Sequence, residues 1–383
     1  MTQDGIQENA VHKELDAIFI SVELSKKTWL VTSISPGAGE KLSRHTIPGG
    51  DIAGLLGRLA LLKQKARDRT GRDYPFIIIQ EAGLDGFWVH RVLEAEGHDT
   101  HVVDAASIAT SRRKRRVKTD RLDGETLIRA LLAFKRGEPR VCSMLRVPTP
   151  DEEDRRRIVR ERKVLMEERI RHSNRIKGLL FSQGITGYDP LRRDRRDRLE
   201  TLRTGDGRDL PANMKRQVLR EVDRMEMLLD QIKAVEAERD AMLAEERRSA
   251  REVVMLSKVV GIGPEFAAVL WGEGLFRSFD NRRQVAAYAG LAPTPWQSGS
   301  IDREQGIGKS GNPRLRSTLL EMAWLWLRHQ PASALSRWFN ERVAQNGGRF
   351  KKVMITALAR KLVVALWKYV SAGVVIEGAF VRP

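Results

Sequence analysis

The chain has 383 residues, with 68 lysines and arginines against 50 aspartates and glutamates and a formal charge of +18; an excess of that size points to a polyanionic partner, nucleic acid before an anionic membrane surface. The single cysteine, Cys142, excludes an intramolecular disulfide framework and a Cys-rich zinc site, and it fits a reducing cytoplasm. With 41% hydrophobic residues, 8 Trp and 11 Phe, the chain is too core-rich for general disorder, and at about 150 residues per domain its length suits two or three folded units.

The polar, acid-containing start over residues 1–15 lacks the basic head and apolar stretch of a signal peptide and is expected to be a disordered lead. No run of about 18 apolar residues occurs, so a soluble protein without a membrane partner is expected. Residues 16–150 read as alternating strands and helices. Ala17 to Val22 is a short apolar run and Thr28 to Ile34 a second β-rich stretch. Asp51 to Lys65 carries Leu55, Leu56, Leu59 and Leu62 at helical spacing, with Asp51 as N-cap. Pro75 to Gln80 contains three consecutive isoleucines, the composition of a strand buried on both faces. A helix from Phe87 to Glu96, ended by Gly97, and a strand from Thr100 to Val103 complete an α/β layer domain.

Residues 151–250 turn charged and helical. Val218, Val222, Met225, Leu229 and Ile232 are spaced by fours and threes, the seam of a coiled-coil stalk or long antiparallel helix pair. Glu152 to Ser182 forms the first arm, and the glycine- and proline-rich Gly184 to Asn213 joins it to the second. Residues 251–375 regain Trp, Gly and apolar periodicity. Leu319, Leu320, Ala323, Trp324 and Leu327, then Val353, Ile355, Leu358, Ala359, Leu362 and Val363, mark two amphipathic helices of a mostly helical domain. The fold class is therefore α/β plus α.

Two constellations carry chemistry. Glu23 ends the first strand and Glu81 the three-isoleucine strand, while Asp120 and Asp123, three apart, share one face at a helix start. Acids at strand ends are usually solvated, and an Asp opening a helix is usually a cap. The set reads differently because Arg112, Arg113, Lys114, Arg115, Arg116 and Lys118 lead straight into it, a phosphate track beside a site of hard oxygen donors suited to Mg²⁺. In the C-terminal part, Val259 to Pro264 forms a turn into a helix, and Gly261 and Gly263 would let backbone amides approach a phosphate, as in a helix-hairpin-helix element. Ser298, beside Gly299 in a loop, with Ser300 as the alternative hydroxyl, is followed by Lys309, Arg314 and Arg316, the positive charge that an alkoxide attacking a phosphate needs.

SVELSKKTW, IIIQEAGLDG, VKTDRLDGETL, VVGIGPEFAAVL, QVAAYAGLAP, WQSGS, GKSGNPRLR and KKVMITALARKL succeed one another from about residue 17 to 370. In this order they resemble the DEDD-type insertion-sequence transposases, to which the pilin-gene DNA invertases are related. The resemblance implies a RuvC/RNase H-like N-terminal domain with Glu23, Glu81, Asp120 and Asp123 as ligands of Mg²⁺, for which Mn²⁺ may substitute. It also implies a serine nucleophile at Ser298, homodimers assembling into homotetramers with the acidic site of one subunit meeting the serine of another across the coiled-coil region, donor and target DNA as substrates, and a structured guide RNA. The setting it implies is bacterial, cytoplasmic and nucleoid-associated. One position departs from the pattern. The family usually has Asp at the first acid, and the methylene added by Glu23 moves the carboxylate by roughly an ångström, which Mg²⁺ tolerates poorly. Two rival readings stand beside this one: a resolvase-like nuclease in which water attacks, and an inactive nucleic-acid-binding remnant.

Overall fold

The apolar runs of the N-terminal part pair into a five-stranded mixed sheet in the computed structural model, which describes residues 15–39, 41–83, 86–104, 107–108, 120–139, 141–275, 279–298, 301–308, 311–345 and 347–383. The expected lead over 1–15 lies outside the described residues except for Leu15. The chain divides into two compact units, Met1–Pro148 and Thr149–Pro383. Among the described residues there are seven strands and twelve α-helices, most of the helices in the second unit.

In the first unit, β1 (Ile18–Glu23), β2 (Thr28–Ile34) and β3 (Ser43–Pro48) form an antiparallel meander, and β4 (Phe76–Glu81) and β5 (Asp99–Val103) run parallel to β1, giving the order β3-β2-β1-β4-β5. Both faces are covered, which is why the strands read as continuous apolar runs. Ile18, Ile20 and Val22 of β1 pack with Leu55, Leu59 and Leu62 of α1 (Ile52–Thr70) and with Val89 and Leu93 of α2 (Trp88–Ala95). Ala17, Phe19 and Ile79 turn to the other side and meet Leu127 and Leu131 of α3 (Asp120–Lys135). Each fully buried Val, Leu, Ile or Phe side chain contributes about 1.5–3 kcal/mol. Asp51 caps α1 as expected, accepting the Gly54 amide at 2.8 Å. The strand β3 was not expected, because Ile47 is its one buried residue and no alternation marks it.

In the second unit α4 (Pro150–Phe181) and α6 (Ala212–Ser249) lie side by side, with the short α5 (Arg195–Thr201) in the connection. Thr149 starts α4 with a reciprocal cap: its hydroxyl accepts the Glu152 amide, and its own amide donates to the Glu152 carboxylate. Val218, Val222, Met225 and Ile232 are buried as expected, but Leu228 takes the core place assigned to Leu229. The rest of the unit is α7 (Arg251–Lys258), α8 (Pro264–Leu270), a π-turn over Trp271–Leu275, α9 (Arg282–Tyr288), the strand pair β6 (Pro293–Ser298) and β7 (Ile301–Ile307), α10 (Pro313–His329), α11 (Ala334–Gln345) and α12 (Lys351–Ala372). Leu319, Ala323, Trp326, Ile355, Leu358 and Leu362 share one core. Trp326 rather than Trp324 faces inward, and Val353 is exposed. No helix among the described residues is long and apolar enough to cross a membrane.

Candidate active site

Parallel pairing of β1 with β4 sets Val22 beside Gln80, so the next residues, Glu23 and Glu81, end adjacent strands at the same edge of the sheet. Glu23 is half-buried and Glu81 exposed, with Glu81 paired across to Val103 of β5. Helix α3 reaches the same edge. The Ser21 hydroxyl, fully buried, donates to the Gly124 carbonyl at 3.0 Å, and Leu127 and Leu131 anchor the helix one and two turns on. Gly124 sits so close to the β1–β2 pair that a Cβ built on it would lie 2.6 Å from Oε1 of Glu23 and 2.5 Å from Oγ1 of Thr32. Asp120 and Asp123 therefore occupy the helical turn that adjoins Glu23, although their side chains lie outside the described residues. The donor set, all carboxylate, fits a hard cation, and the side-chain-free notch at Gly124 leaves the Glu23 carboxylate room. Among the described residues no three acid, histidine or cysteine side chains form a metal-binding group; of the four expected ligands, Glu23 and Glu81 have described side chains. The basic run Arg112, Arg113, Lys114, Arg115, Arg116 and Lys118 lies outside the described residues.

In the second unit Ser298 is the last residue of β6, opposite Ile301 of β7, and not a residue of an open loop as its glycine neighbour led us to expect. The side chain of Ser298 lies outside the described residues, as do Ser300 and Lys309 entirely. Two backbone hydrogen bonds tie down the chain beyond the strand pair. Gly308 N donates to Ala292 O at 2.8 Å, and Asn312 N donates to Tyr288 O at 2.7 Å. Asn312 caps α10, its Oδ1 accepting the amides of Arg314 and Leu315, with Pro313 at the first helical position. Arg314 and Arg316 thus stand in the first turn of α10, just after the strand pair.

A buried carboxylate organises this region. Glu273, 2% exposed in the π-turn, accepts Nε and NH2 of Arg160 at 2.7 and 3.1 Å and Nδ2 of Asn312 at 2.8 Å. Its backbone carbonyl accepts the Tyr288 hydroxyl at 2.8 Å. Burial pushes the Glu273 carboxyl up, but the hydrogen bonds and charge of Arg160, helped by Asn312 and the charge of Arg156, outweigh it and hold the group below its ordinary range. Arg160 belongs to α4, so the first helix of the long pair is bonded to the carboxylate that also holds Asn312 at the start of α10. Lys163, one turn further along α4, donates to the Ser317 hydroxyl at 3.0 Å.

The turn with Gly261 and Gly263 joins α7 to α8. Gly261, at φ +90°, passes His329 so closely that a Cβ would lie 3.0 Å from its side chain, and the Gln330 amide donates to Val260 O at 2.8 Å. Packing against the end of α10 thus accounts for Gly261, and Gly263 is the N-cap of α8. Sequence reasoning missed Gly124, Arg160, Glu273 and Asn312. Two of them left a signal: a glycine inside a helical pattern straight after Asp123, and one acid in the otherwise apolar stretch from Val269 to Leu275.

The family model described as Transposase IS116/IS110/IS902 family matches residues 254–337, a span that holds Glu273, Ser298 and Asn312. A Sinorhizobium fredii protein named as a transposase, y4rJ, is 68% identical over 382 residues, covering 97% of this chain and 96% of its own length. A Pseudomonas aeruginosa protein named as a family 20 transposase is 30% identical over 321 residues, 82% of this chain and 89% of its own. The pilin gene-inverting protein of Moraxella lacunata is 39% identical over 114 residues, 28% of this chain and 33% of its own.

Proposed function

The chain belongs to the IS116/IS110/IS902 family of transposases, and from that premise we propose that it cuts and rejoins DNA strands through Ser298, aided by the four carboxylates Glu23, Glu81, Asp120 and Asp123. The observation that carries this reading is the meeting of β1, β4 and the first turn of α3 at one sheet edge, where Gly124 touches Glu23. With the strand order β3-β2-β1-β4-β5, that edge supports a RuvC/RNase H-like domain.

In the proposed reaction the Ser298 hydroxyl attacks the scissile phosphorus. The bond from Oγ to phosphorus forms as the bond from phosphorus to the leaving sugar oxygen breaks; the serine proton departs and the leaving oxygen takes one up. Rejoining is the reverse, with the hydroxyl of another strand attacking and the serine oxygen leaving. One phosphodiester replaces another, so no external energy source is required. Glu23, Glu81, Asp120 and Asp123 would hold Mg²⁺, or Mn²⁺ in its place, which when bound supplies positive charge to the phosphate and the leaving oxygen. Lys309, Arg314 and Arg316 would neutralise the phosphate near the serine, and the basic run from Arg112 to Lys118 would track the backbone. We further propose that the α4–α6 pair serves as a coiled-coil contact in homodimers and homotetramers, and that a structured RNA guides the choice of donor and target. The charge of +18 supports binding of both nucleic acids.

The test uses protein produced together with its native flanking DNA, so that any guide RNA is supplied, and then incubated with that DNA and Mg²⁺. A covalent protein–DNA adduct on denaturing gels that vanishes in Ser298→Ala is the expected result. Free nicks that persist in the variant would transfer the attack to water.

A further inference from the structure

We infer that Gly124 is a positioning residue for Glu23: the bare helix backbone at 124 is what gives a glutamate, longer than aspartate by one methylene, its place at the acidic edge. The inference rests on the reading of Glu23 as a metal ligand.

Glycine is a poor choice inside a helix, since it gives up more conformational freedom than alanine. Gly124 is the fifth residue of α3, far from the end of the helix, and it is not among the glycines with positive φ. Backbone conformation therefore does not demand it. Space does. A Cβ at 124 would lie 2.6 Å from Oε1 of Glu23, 2.5 Å from Oγ1 of Thr32 and 3.2 Å from Cβ of Thr32. Separations under 3.0 Å are essentially never seen for a real Cβ, so something has to move. The helix cannot withdraw easily, because the Ser21 hydroxyl holds the Gly124 carbonyl at 3.0 Å and Leu127 and Leu131 are buried against Phe19 and Ile79. Of the atoms in conflict, the two oxygens are ends of side chains that can rotate. The carboxylate of Glu23 is on the longer and softer of the two.

The consequence is unusual for a substitution in a tight contact. Gly124→Ala should leave the fold intact, because alanine favours the helix, the two oxygens move aside by side-chain rotation and the 3.2 Å approach to Cβ of Thr32 needs a shift of only a few tenths of an ångström, while it displaces the Glu23 carboxylate. A divalent site that demands near-ideal geometry would register the displacement. Shortening the acid should undo it, because an aspartate at 23 no longer reaches the methyl group.

Mg²⁺ binding to the full chain, measured by titration calorimetry, and thermal unfolding without metal test this together. The expected result is a loss of affinity of about 10–100-fold in Gly124→Ala, the range typical of disturbing a ligand's surroundings, with an unfolding midpoint unchanged or raised, and recovery of most of that affinity in Glu23→Asp/Gly124→Ala. Unaltered affinity in Gly124→Ala would overturn the inference. So would a lowered midpoint that tracks the loss, or a double variant no better than Gly124→Ala. If the unmodified protein shows no Mg²⁺ binding that Glu23→Ala abolishes, the metal reading itself falls and takes this inference with it, an outcome distinct from the others.

Discussion

Arg160 grips Glu273 with two parallel hydrogen bonds, Nε to Oε1 at 2.7 Å and NH2 to Oε2 at 3.1 Å, and so ties the first long helix of the C-terminal unit to the π-turn that Asn312, the N-cap of α10, also holds. The arginine is partly exposed and the glutamate almost fully buried. Truncating the arginine therefore strips two of the carboxylate's hydrogen bonds and leaves Asn312 to hold it. Arg160→Ala is expected to destabilise the protein by about 3 kcal/mol, the range for orphaning a buried charge, and Arg160→Ala/Glu273→Gln should recover part of that loss. Urea unfolding of the three proteins measures both values.

The same pair sets a pH dependence. Because the Glu273 carboxyl is held below its ordinary range in the folded chain, against burial and by Arg160 and Asn312, its contribution is fully present above the unfolded-state value. It is lost as pH falls through the folded value. Glu273→Gln removes that acid-side loss and places an amide donor among donors, which costs about 1–3 kcal/mol at neutral pH. The stability difference between the two proteins should therefore be largest near neutrality and shrink as pH drops below the ordinary glutamate range. Denaturant midpoints compared across pH check this, and a constant difference would contradict it.

How much of the fold and the site was legible in the sequence depended on how strongly each residue's environment marks it. The isoleucines 77–79 announced a strand because both faces of the sheet are covered, and Asp51 announced a helix start because capping is local. Strand β3 has one buried residue, and β6 opens on two prolines within three positions, so neither carries the alternation that identifies a strand. The exchange of Leu229 for Leu228, and of Trp324 for Trp326, arises because several adjacent apolar residues can satisfy a helical seam and tertiary packing chooses among them. The acidic edge could be anticipated from strand ends. Its dependence on Gly124 could not, because that is a matter of distance between helix backbone and a side chain from another strand.

Gly311 should be the least replaceable glycine of the C-terminal unit. It combines φ +102° with a position where a Cβ would meet the backbone of Ala287, Tyr288 and Gly290 at 2.5 to 2.8 Å. Unlike the neighbours of Gly124, none of these atoms is the end of a flexible side chain. The same turn directs Asn312 onto Tyr288 O and Glu273. Gly311→Ala is expected to lose at least about 3 kcal/mol, strain and displaced backbone adding together. Thermal unfolding should show a lower midpoint in the variant, and recombination should fall with the folded fraction.

Asp120→Asn probes the acidic edge without changing side-chain size. Asp120 opens α3, the helix whose Gly124 adjoins Glu23, and the neutral amide oxygen of asparagine is a weaker ligand for a hard cation than the charged carboxylate. If the four acids act together, strand cleavage should fall by at least about a hundredfold, roughly 3 kcal/mol of barrier. Nucleic-acid affinity should stay within a fewfold of the parent value, because it comes from lysine and arginine rather than from this carboxylate. Gel-shift titrations and cleavage time courses on one DNA substrate separate the two quantities. Loss of binding in parallel with cleavage would make Asp120 a structural cap of α3 instead, the role that aspartates at helix starts most often have.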